Sequence, residues 1–303
     1  MVIGTSVQFG SLGSQGQSVW LWDGTALHRV GLVGPEYTFP NRHRSTEPYV
    51  YEPDGFLGGS SEAPDRAGNG RSTTWVYHNG VTTRVGLYDA RRRRASDDWY
   101  HSGLQAISPA GDAIGLSYRF DAPTIYSAWY YDHATGVTIP IPFPDSERRL
   151  VSSTAEAFTP DGGVIGTYTW VEGENTHTYG FWWSPTEGLY RLDELIDGGI
   201  EASPWASITD GFTAAALADG SQLIVAQGAL RSDRTHTWPV ALTTTGRTLC
   251  LPDVNRDGFL DFFDYADFVD AFRSGDARAD FNRDGFTDQF DYAAFVQAFE
   301  TGC

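Results

Sequence analysis

The chain has 303 residues, 41% hydrophobic and 14% aromatic, with 10 Trp, 15 Tyr and 18 Phe, so a chain left open to water is excluded and a packed core must form. With 39 acidic residues against 21 basic ones the formal net charge is -18, which excludes a nucleic-acid backbone or an anionic membrane surface as the natural partner. Every basic residue is Arg, which excludes lysine amine chemistry, and no run of about 18 apolar residues exists to span a bilayer.

From the N-terminus, Met1 to Ser6 carry neither a basic segment nor a long apolar one, so no secretion signal stands at the start. The 34 Gly and 15 Pro are spread along the chain, which favours many short strands. An aromatic pair then recurs five times: Trp20 and Trp22, Trp75 and Tyr77, Trp129 and Tyr131, Phe181 and Trp183, and a degraded copy led by Trp238. The lead aromatics are 55, 54, 52 and 57 residues apart. A turn follows most copies (Asp23-Gly24, Asn79-Gly80, Thr135-Gly136, Glu187-Gly188), and further strands are expected at Val30 to Leu32, Val85 to Leu87, Ile139 to Ile141 and Leu192 to Leu195. A third column precedes each pair: Val2-Ile3-Gly4, Phe56-Leu57-Gly58, Ala113-Ile114-Gly115, Val164-Ile165-Gly166 and Ile224-Val225-Ala226. These mostly follow turns at Asp54-Gly55, Gly111-Asp112, Asp161-Gly162 and Asp219-Gly220, with a fourth short strand before each turn.

Four short antiparallel strands per unit of about 50 residues predict an all-β β-propeller of about five blades over residues 1–245, with the lead aromatics filling the space between sheets. The chain opens on the Gly-containing strand, so the first blade is expected to be incomplete. Either upstream blades and an export signal precede Met1, or the end of the array donates the missing strand. The pattern resembles the extracellular HAF-type repeats, and the units Gly31 to Thr38 and Gly86 to Asp89 look like the long-linker variant found in planctomycete-like secreted proteins. That resemblance implies a propeller and no catalytic activity.

Residues 250–303 hold 12 acidic and 4 basic residues, a net of -8. Two stretches within them match almost position for position, 27 residues apart: Asp253, Asn255, Asp257, Gly258, Phe259, Asp261 and Asp264, then Asp280, Asn282, Asp284, Gly285, Phe286, Asp288 and Asp291. Side-chain oxygens at positions 1, 3, 5 and 12, a backbone carbonyl at 7 and a water-mediated group at 9 are the ligand set of a calcium loop, and glycine at 6 allows the sharp turn. Two calcium ions are the cofactors expected. Each loop runs into a stripe at i, i+3, i+4, i+7 (Tyr265, Phe268, Val269, Phe272 and Tyr292, Phe295, Val296, Phe299), so two helices should pack on each other.

Two loop-helix units without an entering helix, ending on Asp at position 12, resemble type I dockerin modules. The resemblance assigns residues 246–303 to an EF-hand-like module and implies docking onto a cohesin-like surface receptor, often in polysaccharide breakdown. Where dockerins of cellulosome enzymes carry small hydroxyl residues, this chain has Phe262-Phe263 and Gln289-Phe290. Cys250 and Cys303 bracket the module, and their pairing is expected. A disulfide and calcium both belong outside the cytoplasm, so the protein is expected to be secreted or at the cell surface.

Metalloprotease helices, nucleophile elbows and phosphate loops are not found in the sequence. Arg91 to Arg94 read as a solvated loop, and Asp54, Asp112, Asp161 and Asp219 as turn residues. Two functions stand. The first is a secreted, non-catalytic calcium-binding protein whose propeller displays or binds a polysaccharide or protein ligand and whose tail docks. The alternative is a polysaccharide-degrading glycoside hydrolase with carboxylates in the propeller channel.

Overall fold

The computed structural model describes residues 2–10, 13–120, 126–143, 149–172, 174–196, 199–218, 221–244, 252, 254, 260, 262–276, 279–281 and 286–301. The chain is mostly β, with two α-helices near its C-terminus. The first sheet holds β1 (Val2–Gly10), β2 (Gly13–Trp22) and β3 (Leu27–Val30). The second holds β4 (Arg44–Tyr51), β5 (Leu57–Pro64), β6 (Gly70–His78) and β7 (Val81–Val85), and the third β8 (Ser102–Ile107), β9 (Ala113–Tyr118), β10 (Tyr126–Asp132) and β11 (Val137–Pro140). A fourth follows the order β12 (Arg149–Phe158), β13 (Val164–Glu172), β14 (Asn175–Ser184), β15 (Gly188–Arg191). The fifth is β16 (Trp205–Ala216), β17 (Gln222–Leu230) and β18 (Asp233–Thr244). A short parallel pairing of β2 with β4 joins the first two groups into one seven-stranded sheet; all other neighbours are consecutive in the chain, because short turns can join only antiparallel partners.

One expected column is displaced. β3 and β7 end at Val30 and Val85, where the stretches read from sequence begin, β11 covers Ile139 and Pro140 as expected, and Leu192–Leu195 is a 3-10 helix that follows β15 rather than a strand. Gly31 and Gly86 explain the first two cases, since φ of +99 and +110 ends a strand where other residues would continue it. In the fourth, Arg191 N donates to the Glu194 carboxylate at 2.9 Å, which closes a helical turn.

The chain divides into two compact units. The first comprises Met1–Ile141, Leu150–Phe158 and Gly166–Thr169. In it Trp75 and Trp129 are fully buried. Trp75 packs with Val19, Val30 and Leu57, so it fills the space between the first and second sheets, and Trp129 packs with Phe56, Val76 and Leu104, between the second and third. A glycine opposite each indole has a physical reason: Gly115 of the preceding column pairs with Trp129, and Gly59, one residue past the column's Gly58, pairs with Trp75. A Cβ on Gly115 would lie 2.4 Å from the Trp129 ring, so glycine lets the indole lie across its neighbour strand. The array is not uniform, since Trp20 is half-buried and Trp238, on edge strand β18, is 46% exposed.

The second unit comprises Pro142–Arg149, Thr159–Ile165 and Trp170–Cys303. Phe181, Leu192, Ile208 and Ile224 are buried in its β part. Its helices are α1 (Phe262–Ser274) and α2 (Gln289–Thr301). The two stripes meet as expected: the Phe268 and Phe295 rings are both fully buried and stack at 3.9 Å and 5°. Tyr265 and Tyr292, at equivalent positions, share a hydroxyl hydrogen bond of 2.5 Å. Among the described residues, no helix is long and apolar enough to cross a membrane.

Candidate functional site

The Asp-Gly turns behave as turn chemistry requires. Gly55, Gly111 and Gly162 all have φ near +90, and their N–H groups donate to the carbonyls of Glu52, Ser108 and Thr159, three residues back in each case. Asp219-Gly220 lies outside the described residues. The basic run is neutralised in place, with Arg92 bonded to Asp89, Arg93 to Asp98 and Arg94 to Asp97.

A polar pocket of about 260 Å³ lies in the first unit, lined by Ser45 and Glu47 of β4, Ser60 and Glu62 of β5, Gly70, Arg71 and Ser72 of β6, and Trp99 and His101 at the entry to β8. Side-chain alternation turns Ser45 and Glu47 to one face of the second sheet, as it does Ser60 and Glu62. Glu47 pairs with Ser60, and Glu62 is two residues further along the same strand. The two glutamates therefore stand on a cross-strand diagonal with backbones roughly 7–8 Å apart. Their surroundings differ, because His43 Nε2 lies 3.5 Å from Glu62 Oε2 whereas the described ion pairs include none at Glu47.

The far wall is held by specific contacts. Ser72 and His101 form a parallel bridge that fixes the start of β8 against β6. Arg71 Nη1 donates to Asp98 Oδ2 at 2.7 Å and to Asp98 O at 3.1 Å, and Trp99 Nε1 donates to Gly70 O at 2.9 Å. Burial works to raise the Asp98 carboxyl, but bonds from Arg93 and Arg71 leave it below its ordinary value. Asp98 itself holds φ +64, a left-handed conformation uncommon outside glycine, next to Trp99. Arg71 Nε is buried with no hydrogen-bond partner among the described residues, which leaves a donor for a ligand oxygen.

Burial lowers the His101 pKa. The unfolded chain then takes up the proton first, at its ordinary value near 6.5, so the stability His101 contributes is intact above that value and is lost as pH falls. Urea midpoints should drop between about pH 7.5 and about pH 5, and less steeply in His101→Gln. Equal slopes for both proteins would contradict this.

The sequence-derived metal ligands are only partly visible. Asp253, Asn255, Asp257, Phe259, Asp261, Asn282 and Asp284 lie outside the described residues, as do Cys250 and Cys303. Asp264 and Asp291, the twelfth positions, are both fully buried in the first turns of α1 and α2. Asp288 Oδ1 accepts the Phe290 N–H at 2.8 Å while Asp291 Oδ2 accepts the Asp288 N–H at 2.8 Å, a reciprocal cap at the start of α2. Asp280 is half-buried, and the Phe286 side chain is 71% exposed, as a carbonyl ligand permits. Among the described residues alone, no group of three or more His, Cys, Asp or Glu could hold a metal. Phe262, Phe263 and Phe290 are all exposed.

No family model matches the chain, and no curated protein matches it. Among solved structures it is similar to a thermostable family-43 glycoside hydrolase, at 10% identity over 75% of this chain and 81% of that one, with a TM-score of 0.29. It is also similar to an alpha-L-arabinofuranosidase from Lactobacillus brevis, at 10% identity over 71% of this chain and 78% of that one, TM-score 0.27. A third is the periplasmic gluconolactonase of Pseudomonas aeruginosa, at 14% identity over 82% of this chain and 69% of that one, TM-score 0.32. All three are named as enzymes, against the expectation of a secreted, non-catalytic display protein with a docking tail. The repeating Asp residues were the carboxylates weighed from sequence, whereas the pocket brings together the non-repeating pair Glu47 and Glu62.

Proposed function

We propose that the protein is a glycoside hydrolase acting on polysaccharide, with Glu47 and Glu62 as its two carboxylates. The observation that carries this reading is their placement on one face of neighbouring strands in a pocket walled by Trp99. Glycosidic bond cleavage uses one carboxyl as acid and the other as base or nucleophile, at separations of roughly 5 to 9.5 Å. Unequal roles need unequal neighbours, and His43 beside Glu62 supplies the difference. The Trp99 indole offers an apolar face for a sugar ring, and the serines and Arg71 offer hydroxyl and guanidinium partners. The test is release of reducing ends from a panel of plant and microbial polysaccharides. Wild-type protein should cleave at least one and Glu62→Gln should not; no cleavage of any, or undiminished cleavage by the variant, rejects the assignment.

The five groups of consecutive antiparallel strands, with Trp75 and Trp129 packed between neighbouring groups, support reading the β region as propeller blades. Calcium is proposed for the C-terminal loops. Two fully buried aspartates at equivalent positions support it, since a buried carboxylate needs donors or a cation around it. Asp253, Asn255, Asp257, Asp261 and Asp264 would hold one ion, and Asp280, Asn282, Asp284, Asp288 and Asp291 the other, with the carbonyls of Phe259 and Phe286. Calorimetric titration of the full chain should give two calcium equivalents and each of Asp264→Ala and Asp291→Ala should weaken one of them. No binding, or variants indistinguishable from wild type, rejects the ligand set.

A further inference from the structure

A second binding feature sits on the first sheet, away from the pocket. Strand β2 turns Gly16, Ser18 and Trp20 to one face. Trp20 pairs with Arg29 on β3, and Gly16 pairs with Arg44 on β4, so both arginines lie along the edge of β2 opposite β1, one beyond the other. Gly16 is what admits the second: at φ +97, a Cβ there would lie 1.5 Å from the Arg44 carbonyl oxygen. Both guanidinium groups are anchored. Arg29 Nη2 donates to Ser18 Oγ at 3.0 Å, and Arg44 Nε donates to Thr38 Oγ1 at 2.6 Å.

What these arginines lack is a counter-charge. In a chain of net charge -18, Arg71 and Arg93 share Asp98, Arg94 has Asp97 and Arg191 has Asp193. Neither Arg29 nor Arg44 has a carboxylate within 4.0 Å among the described residues. Arg29 Nε is also buried and has no hydrogen-bond partner there. Burial first, and the charge of Arg44 second, lower the Arg29 pKa, so each cation disfavours the other. A flat oxyanion would relieve both costs at once, because the guanidinium fork matches it with paired hydrogen bonds. Half-buried Trp20 completes the surface, its ring 6.0 Å from the Arg29 guanidinium carbon and its Nε1 tied to Ser6 Oγ at 2.6 Å.

We propose that Arg29 and Arg44, with Ser18 and Trp20, form an oxyanion-binding site that takes the carboxylate or sulfate group of an acidic saccharide. The ring would lie on Trp20 and the anionic group between the guanidiniums. Ser45, next along β4, turns to the opposite side and lines the pocket, so this site stands whether or not the pocket cleaves glycosides.

The test is calorimetric titration of the full chain with trigalacturonate, with sodium sulfate and with neutral maltotriose. Trigalacturonate should bind saturably and maltotriose should not. Arg29→Gln and Arg44→Gln should each weaken binding about tenfold or more, as loss of a charged hydrogen bond implies, while Arg273→Gln on α1 leaves it unchanged. Arg29→Lys and Arg44→Lys keep the charge and guard against misfolding of the neutral variants; they should still bind several-fold more weakly because the fork is lost. Sulfate as tight as trigalacturonate, with the same dependence on both arginines, supports a site for the free ion. No saturable binding of either anion, or equal affinity in wild type and the arginine variants, overturns the proposal.

Discussion

Replacing Glu62 by Gln is expected to lower the rate of polysaccharide cleavage by about 10²- to 10⁴-fold, the range that a positioned proton-transfer group contributes. Gln has the shape of Glu but cannot ionise, so the pocket keeps its volume while one of its two carboxylates is silenced. Glu47→Gln should do likewise. If both act in the chemical step, kcat falls in each variant and KM changes little. Trp99→Ala should show the reverse weighting, with KM raised more than kcat is lowered, because a stacking face binds the sugar in ground and transition states alike. Equal, small effects on KM alone in the glutamate variants would make them binding residues rather than catalytic ones.

Trp129→Ala is expected to cost about 3–5 kcal/mol of stability, a large part of the roughly 5–15 kcal/mol that holds a typical domain folded. The side chain is fully buried, and it joins the second and third sheets by touching apolar residues of both. Gly115 cannot collapse into the space, since it has no side chain to move. Trp129→Phe should cost less, because part of the ring area remains. The measurement is a urea midpoint with an unchanged m-value. A loss below about 1 kcal/mol for the alanine variant would mean that the sheets do not depend on this column.

Much of this organisation was legible in the chain because a repeat states its rule several times. Trp75, Trp129 and Phe181 recur at near-constant spacing, and each is buried as that column requires. The stripes Tyr265 to Phe272 and Tyr292 to Phe299 placed both helices and their contact, because period-3.6 patterning leaves one apolar face. The last strand was misplaced by a few residues in the first, second and fourth copies. In the first two copies apolar residues continue past a glycine of positive φ, and in the fourth they form a 3-10 turn; hydrophobicity alone does not register where the backbone turns.

The candidate site was harder to read for a related reason. Glu47 and Glu62 belong to no repeat and match no motif, and they become neighbours only through the pairing of β4 with β5. One signal was available: the two acids flank the Asp54-Gly55 turn at near-equal distances, so folding the hairpin about that turn brings them within a diagonal of each other. Arg29 and Arg44 carry no such mark, because their meeting depends on a short parallel pairing between β2 and β4, which are not consecutive strands.

Proton NMR of a polysaccharide digest tests the roles of Glu47 and Glu62 most directly. Wild-type protein and the Glu47→Gln, Glu62→Gln double variant would be followed side by side through the anomeric region. New anomeric signals should grow with time in the wild-type sample only. Growth in both samples, or in neither across the panel of substrates, would contradict the assignment of glycosidic cleavage to this pocket.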